Sequence, residues 1–103
     1  MVVDGITWDS QHEADRYLAL KALAGAGAID HLRWKVRFSL NCPVGDSSST
    51  VSHYVADFVY REHGQEIVED TKGYLTAMYK LKRKWMLKQY GITIREVYRR
   101  AAS

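Results

Sequence analysis

The chain contains few of the residues that stabilise small folds covalently. Its 103 residues include one cysteine, Cys42, and four histidines. A lone cysteine excludes an internal disulfide and is typical of a reducing compartment, so we expect a cytoplasmic protein. No histidine pair shows the close spacing of a structural zinc site, and one cysteine is too few for the common ligand sets. We therefore expect no zinc.

Long hydrophobic runs are also absent. No segment approaches the roughly 20 apolar residues that span a bilayer. The start of the chain, "MVVDGITWDS", lacks the basic and apolar regions of a signal peptide. Apolar residues make up 47% of the sequence, which is enough for a packed core. The length therefore predicts a single domain, residues 1–103, with no membrane segment.

Acidic residues are scarce in the last third of the chain. Residues 72–103 contain nine Lys/Arg and one acid, Glu96, whereas residues 1–71 contain six Lys/Arg and eleven acids. A basic segment of this kind favours contact with a polyanion. A solvated helix face is the commoner meaning of a charge run, so charge alone leaves both interpretations open.

Two segments have helical patterns. Ser10 is a good N-cap for the first, Glu13 completes a capping box, and Gly25 lies near its end. The second segment is "YLTAMYKLKRKWMLKQYG", which Gly91 ends. Its apolar stripe, predicted to face the core, consists of Tyr74, Ala77, Met78, Leu81 and Trp85.

Four segments are predicted strands: "HLRWKVRFSL", "VSHYVADFVYR", "QEIVEDTKG" and "ITIREVY". The polar segment "NCPVGDSSST" between the first two contains Pro43 and Gly45 and predicts a loop. The element order is helix, three strands, helix, strand. This order predicts an α/β fold in which helices flank a mixed sheet.

The turn "EHGQ" between the second and third strands sets up a candidate site. If its central two residues form a tight hairpin turn, facing residues have numbers that sum to 127, and Asp57 lies opposite Asp70. Side chains that face each other in this way lie about 5 Å apart at Cβ. By the period of two, Lys72 shares their face, while Glu69 and Thr71 point away.

Two carboxylates at that distance repel each other unless a cation lies between them. Mg²⁺ suits such a site, because it binds one or two protein carboxylates together with water and substrate phosphate. Lys72 beside them could orient or deprotonate a water, or neutralise charge on a phosphate. A surface salt bridge is the ordinary alternative. However, Asp57 interrupts the apolar "YVADFVY", where an unpaired carboxylate is costly, so the pattern favours a metal-dependent nuclease.

These residues resemble a known motif. Asp57, followed after twelve residues by Asp70, Thr71 and Lys72, is similar to the motif of the PD-(D/E)XK nuclease superfamily. The segments "SQHEADRYLAL", "YVADFVY", "VEDTKG" and "YKLKRKW" resemble a family of small phage proteins likened to Holliday-junction resolvases. The resemblance implies a restriction-endonuclease-like core and, for a phage protein, the host cytoplasm.

The resemblance also implies roles for individual residues. Asp57 and Asp70 match the metal-binding acids, the main-chain carbonyl of Thr71 matches a further ligand, and the metal would be Mg²⁺ or Mn²⁺. Lys72 matches the catalytic lysine. Glu13 matches an acid that many members add to the metal site, and its alternative role is the capping box.

The expected function is metal-dependent hydrolysis of DNA phosphodiesters, with branched DNA as substrate and a homodimer as the assembly. Lys35 stands where the family often has glutamine and could reach a phosphate, and Lys80, Arg83 and Lys84 form a basic surface on the second helix. Two alternatives stay open, a non-catalytic DNA-binding module that retains a nuclease fold and a nuclease directed at RNA. Candidate dimer contacts are Trp34, Trp85 and Tyr98.

Overall fold

The computed structural model describes residues 1–44, 47–72 and 74–98. The elements are β1 (Val2–Val3), β2 (Ile6–Thr7), α1 (Gln11–Gly25), β3 (Asp30–Val44), β4 (Ser47–Glu62), β5 (Gln65–Lys72), α2 (Ala77–Tyr90) and β6 (Arg95–Tyr98). Strands β3, β4, β5 and β6 form one mixed sheet in that order. The β5–β6 pairing is parallel and the β3–β4 and β4–β5 pairings are antiparallel, while β1 and β2 form a separate small hairpin. The predicted α/β fold with a mixed sheet and two helices is confirmed.

Helix α1 begins where the sequence predicts. The side chain of Ser10 accepts a hydrogen bond from the backbone N–H of Glu13, at 3.1 Å. This satisfies one of the orphan donors of the first turn. The helix then buries Ala14, Tyr17 and Leu20 on one face. Neither described helix has the length and apolar character that a membrane crossing requires.

The β4–β5 hairpin has the predicted register. His63 and Gly64 have φ values of 53° and 77°, as a type I′ turn requires. The paired residues run from Glu62 with Gln65 to Phe58 with Glu69, and every pair sums to 127. The turn therefore fixes the position of Asp57 relative to the end of β5.

Two apolar clusters cover the sheet. The α1 cluster contains Trp8, Ala14, Tyr17, Leu20, Ile29, Phe58 and Tyr60. The α2 cluster contains Leu40, Tyr54, Ala56, Val59, Val68, Tyr79, Met86 and Ile94. Ala56 and Phe58 are two residues apart but lie in different clusters, so the alternation of β4 side chains between the two faces of the sheet is interrupted between them. On the neighbouring strand Lys35 has a φ of 53°, which breaks the regular pleat at the same level. Asp57 lies between Ala56 and Phe58, at this irregularity of the strand.

The described residues of the polar segment 41–50 belong to strands rather than to a loop, so the loop prediction was wrong for them. Its described residues extend β3 and β4, and Asn41 pairs with Thr50 and Cys42 with Ser49. The Thr50 hydroxyl also donates to the side-chain oxygen of Asn41, at 2.9 Å. Polar residues on an exposed hairpin can satisfy each other across the strands, so polarity indicates exposure rather than a loop. Gly45, like Arg99 and Arg100 of the basic third, lies outside the described residues.

The predicted buried stripe of α2 was wrong except at Trp85, which packs against the α2 cluster. The helix begins at Ala77, after the N-cap Thr76, so Tyr74 precedes it. Met78 and Leu81 are 60% and 53% exposed, and the helix buries Tyr79 and Met86 instead. Apolar residues form two rows on this helix, and only long-range packing decides which row faces the sheet. Strand β6 starts at Arg95, three residues later than "ITIREVY" predicts.

Candidate active site

An open cleft of about 650 Å³ lies where α1, β4, β5 and α2 meet. Its walls are formed by Asp9, Ser10, His12, Glu13, His53, Tyr54, Val55, Asp57, Asp70, Thr71, Lys72, Thr76, Met78, Tyr79 and Lys82. Three carboxylates and the lysine singled out in the sequence therefore share one cavity.

Asp70, the first of these acids, is only 3% exposed. Its Oδ2 accepts a hydrogen bond from the Tyr54 hydroxyl at 2.7 Å and lies 2.9 Å from Lys72 Nζ. Burial raises the pKa of Asp70 to about 7, and the neighbouring Asp57 carboxyl adds to the increase. Lys72 and Tyr54 lower the pKa but do not offset burial. The carboxyl therefore changes charge near neutral pH.

Asp57 connects the ends of the two strands. Its Oδ2 accepts hydrogen bonds from both the backbone N–H and the hydroxyl of Thr71, at 2.8 and 2.7 Å. The prediction that the Thr71 side chain points away was therefore wrong. The backbone pairing of β4 with β5 ends at Phe58 and Glu69. Beyond that pair, the Asp57 side chain joins the two strands. The prediction that Glu69 points away from the aspartates is confirmed, since its carboxylate contacts Arg16 and Tyr60.

Glu13, the third acid, comes from the first turn of α1. It is 6% exposed, and its carboxyl interacts with that of Asp57. Burial raises the pKa of Glu13, Asp9 raises it further, and Lys35 opposes both. Among the described hydrogen bonds, Ser10 caps Glu13 but no reciprocal bond from Ser10 N reaches the glutamate. The side chain is thus directed to the acids, and the capping box is formed in one direction only.

Lys72 lies between the Asp70 carboxylate and the aromatic ring of Tyr79. Its Nζ is 3.7 Å from the centroid of the Tyr79 ring as well as 2.9 Å from Asp70. The Tyr79 hydroxyl donates to Glu96 Oε2 at 2.7 Å, and Arg83 donates to the same oxygen at 2.7 Å. The lysine therefore has two anchors of different chemistry, a carboxylate and a π face.

The comparison with protein families places this cleft within a recognised domain. The family model described as "Protein of unknown function (DUF1064)" matches residues 1–100. The chain belongs to this family. No curated protein matches the chain. All cleft residues fall inside the DUF1064 match, so the clustered acids and Lys72 are part of the DUF1064 domain itself.

The predicted phosphate-binding residues of this DUF1064 chain are in several places. Lys80 and Lys84 are exposed on α2 but do not line the cleft. Arg83 is held by Glu96, and Lys35 donates to the carbonyl of Thr7 at 2.6 Å. Lys35 still acts on Glu13 electrostatically.

The cleft residues that sequence reasoning missed include Tyr54, Tyr79 and Lys82. A correct start for α2 would have found two of them. Because Tyr79 and Lys82 are three residues apart near the helix N-terminus, they share a face. Tyr54 has no local signal, since its partner Asp70 is on another strand.

The acids of the DUF1064 domain fit a hard divalent cation in donor type, number and burial. Among the described residues, Lys72 is the one cation within ion-pair distance of the three carboxylates, and Lys35 acts on Glu13 from further away. They are not gathered as a ready ligand set in the described part of the chain. One oxygen of Asp70 is used by Lys72 and Tyr54, and one of Asp57 by Thr71. A cation at these oxygens would therefore compete with Lys72, Tyr54 and Thr71.

Proposed function

We propose that the protein is a divalent-metal-dependent endonuclease that hydrolyses DNA phosphodiesters on a PD-(D/E)XK, restriction-endonuclease-like core. The observation that carries the proposal is the convergence of Glu13, Asp57 and Asp70 with Lys72 in one open cleft. Burying Glu13 and Asp70 beside the half-buried Asp57, with Lys72 as the one ion-pair partner among the described residues, is costly for folding. Such an arrangement is understandable if the acids serve a cation and a substrate.

The residues divide the work by their chemistry. Asp57, Asp70, Glu13 and the main-chain carbonyl of Thr71 would hold Mg²⁺ or Mn²⁺, which neutralises phosphate charge and acidifies water. Lys72, held as an ammonium beside Asp70, donates to a phosphate oxygen on which negative charge grows in the transition state. No nucleophilic side chain is required.

Helix α2 supplies the surface for the DNA backbone. Its sequence, Ala77–Tyr90, contains five Lys/Arg and no acid. Lys82 reaches the cleft wall, and the exposed Lys80 and Lys84 lie on the same helix. These positions fit phosphates on either side of the cleaved bond, which position the duplex without reading its sequence.

Branched DNA cut by a homodimer is the finer form of the proposal. A two-fold dimer supplies two symmetric cuts, and the chain offers exposed aromatic residues for its contact. Trp34 and Tyr98 are 38% and 49% exposed, whereas Trp85 is half-buried and donates to Asn41 O. Trp34 and Tyr98 are thus the better candidates of the three.

A substrate panel tests the function directly. Plasmid, linear duplex, four-way junction and RNA are incubated with Mg²⁺, Mn²⁺ or EDTA. We expect metal-dependent cleavage of DNA that is lost in Asp70→Asn and Lys72→Ala. Glu66→Gln is the matched control, because this acid of β5 is exposed, lies outside the cleft lining and pairs with Arg33. Equal cleavage by the wild type, Asp70→Asn, Lys72→Ala and Glu66→Gln would contradict the assignment of Asp70 and Lys72 to the active site.

A non-catalytic DNA-binding module is the second candidate. It is favoured by one observation, the direct Lys72–Asp70 ion pair, which occupies an oxygen that a metal would need. Thermal unfolding with increasing Mg²⁺ separates the two. A metal enzyme gains about 2.7 kcal/mol at a hundredfold excess over its Kd, whereas a binding module without a metal site shows no change.

A further inference from the structure

The Tyr79 ring provides Lys72 with an anchor that uses no oxygen atom. The ring centroid is 3.7 Å from Lys72 Nζ, well within the range of a cation–π contact. We propose that Tyr79 is a positioning residue that keeps Lys72 in place when a metal ion or substrate engages Asp70. This inference rests on the proposed nuclease function.

Tyr79 is itself held at both its backbone and its hydroxyl. The Tyr79 backbone N–H donates to the Thr76 hydroxyl at 3.1 Å, and its hydroxyl donates to Glu96 Oε2 at 2.7 Å. Glu96 lies on β6, next to Asp70 in the parallel pairing. The side chain is 6% exposed, so solvent does not compete for its hydroxyl or its face. A ring held in this way is a fixed support for a flexible lysine.

Lys72 needs the Tyr79 ring as a second anchor because a metal ion would compete with it for Asp70. Lysine has four rotatable side-chain bonds and carries a compact charge, so it holds no fixed direction by itself. In the structure Asp70 directs it, but a divalent cation on Asp70 would repel the ammonium. The π face of Tyr79 attracts the ammonium without offering a ligand to a hard cation. Lys72 can therefore stay near the acids while the metal takes their oxygens.

A purely structural role for Tyr79 predicts a different result from substitution. The hydroxyl bond to Glu96 and the apolar packing would then matter, and the ring face would not. Tyr79→Phe removes the hydroxyl and keeps the ring, whereas Tyr79→Leu and Tyr79→Met keep apolar volume and remove the ring. Tyr90→Leu is the matched control, because Tyr90 is on the same helix, and its ring contacts Phe38 instead.

The first readout is the NMR signal of Lys72. In protein labelled at lysine Cε, protons held over a ring face are shifted upfield, and Lys72→Ala identifies the signal by its loss. We expect the upfield shift in wild type, Tyr79→Phe and Tyr90→Leu, with and without Mg²⁺. In Tyr79→Leu and Tyr79→Met it should return to the position of a solvated lysine. A shift that survives both ring deletions would overturn the proposal, and so would its loss from the wild type on addition of Mg²⁺.

The second readout is cleavage under conditions in which every variant is folded. Loss of the ring should lower kcat about tenfold with KM little changed, and Tyr79→Phe should stay within about threefold of wild type. Equal losses in Tyr79→Phe and Tyr79→Leu would assign Tyr79 a structural role only. A wild type that cleaves nothing would overturn the proposed function, and the Lys72 signal would still decide whether Tyr79 positions the lysine.

Discussion

Two neighbouring residues of β5 bury carboxylates in opposite ways. Glu69 is completely buried, and Arg16 binds both of its oxygens at 2.7 and 2.8 Å while the Tyr60 hydroxyl donates at 2.6 Å. Asp70 is 3% exposed and has one lysine, one tyrosine and a facing carboxylate. The charge of Glu69 is neutralised by a fixed guanidinium, whereas Asp70 shares one lysine with the neighbouring acids.

The choice of cation shows the same contrast. A guanidinium binds a carboxylate through two parallel bonds and stays charged, which suits a permanent brace between α1 and β5. An ammonium is a point charge on a flexible stem and can be displaced. Arg16–Glu69 is therefore a structural pair, and Lys72–Asp70 is a pair that can open.

The largest expected difference between the two acids is in cleavage. Asp70→Asn removes a proposed metal ligand and should lower the rate about a thousandfold, the size of losing a strong electrostatic contact in the transition state. Glu69→Gln should stay within a few fold of wild type when assayed well below its melting temperature. The rates are measured with Mg²⁺ on the preferred DNA. Comparable losses in both variants would mean that Glu69 is more than a brace.

The next difference is in stability. Arg16→Ala leaves Glu69 buried without its cation and should cost about 3 to 5 kcal/mol in the free energy of unfolding. Lys72→Ala should cost less, because Asp70 can take up a proton near neutral pH instead. Urea unfolding at pH 6 with EDTA measures both. An equal cost for the two substitutions would contradict the distinction between the pairs.

Stability should also depend on pH through Asp70. Its pKa in the folded protein is about 7, above the ordinary value of 3.8, so the stabilising effect of its proton is complete below pH 3.8 and lost as pH rises to about 7. As the pH rises from 3.8 to about 7, the free energy of unfolding of the wild type should therefore fall relative to that of Asp70→Asn, by about 2 to 4 kcal/mol. Unfolding from pH 4 to 8 in EDTA tests this. A constant difference would show that Asp70 does not titrate there.

The smallest effects concern the two buried hydroxyls. Tyr60→Phe removes a bond to the charged Glu69 and should cost about 1.5 kcal/mol. Tyr54→Phe should cost about 0.5 to 1 kcal/mol at pH 5, where Asp70 is protonated, and more at pH 8. Unfolding of both variants at the two pH values gives the comparison. A pH-independent cost of Tyr54→Phe would contradict it.

The elements that local chemistry determines were predictable from the sequence. The turn at His63 and Gly64 fixes the hairpin register, and the register brings Asp57 to the end of β5. Ser10 likewise fixes the start of α1. In both cases the decisive residues lie within a few positions of the structure they determine.

Features that depend on distant partners were not predictable. Arg16 and Glu69 are 53 positions apart, and Tyr79 and Glu96 are 17 apart, so no local pattern pairs them. The β1–β2 hairpin was missed for another reason. Its two-residue strands are too short to show periodicity, although Asp4 and Gly5, with φ of 55° and 73°, form a typical hairpin turn.

The hydrogen bond from the Thr71 amide to Asp57 makes this amide sensitive to whether a cation is bound in the cleft. This amide donates to a side-chain carboxylate of β4, so its protection against deuterium exchange depends on the state of one acid. A cation that draws the Asp57 oxygens away would speed exchange at Thr71, while amides in the β4–β5 ladder such as Ile67 would keep their rates. Occupancy of the cleft could then be followed at one backbone position of the unmodified chain, with no substitution and no DNA present.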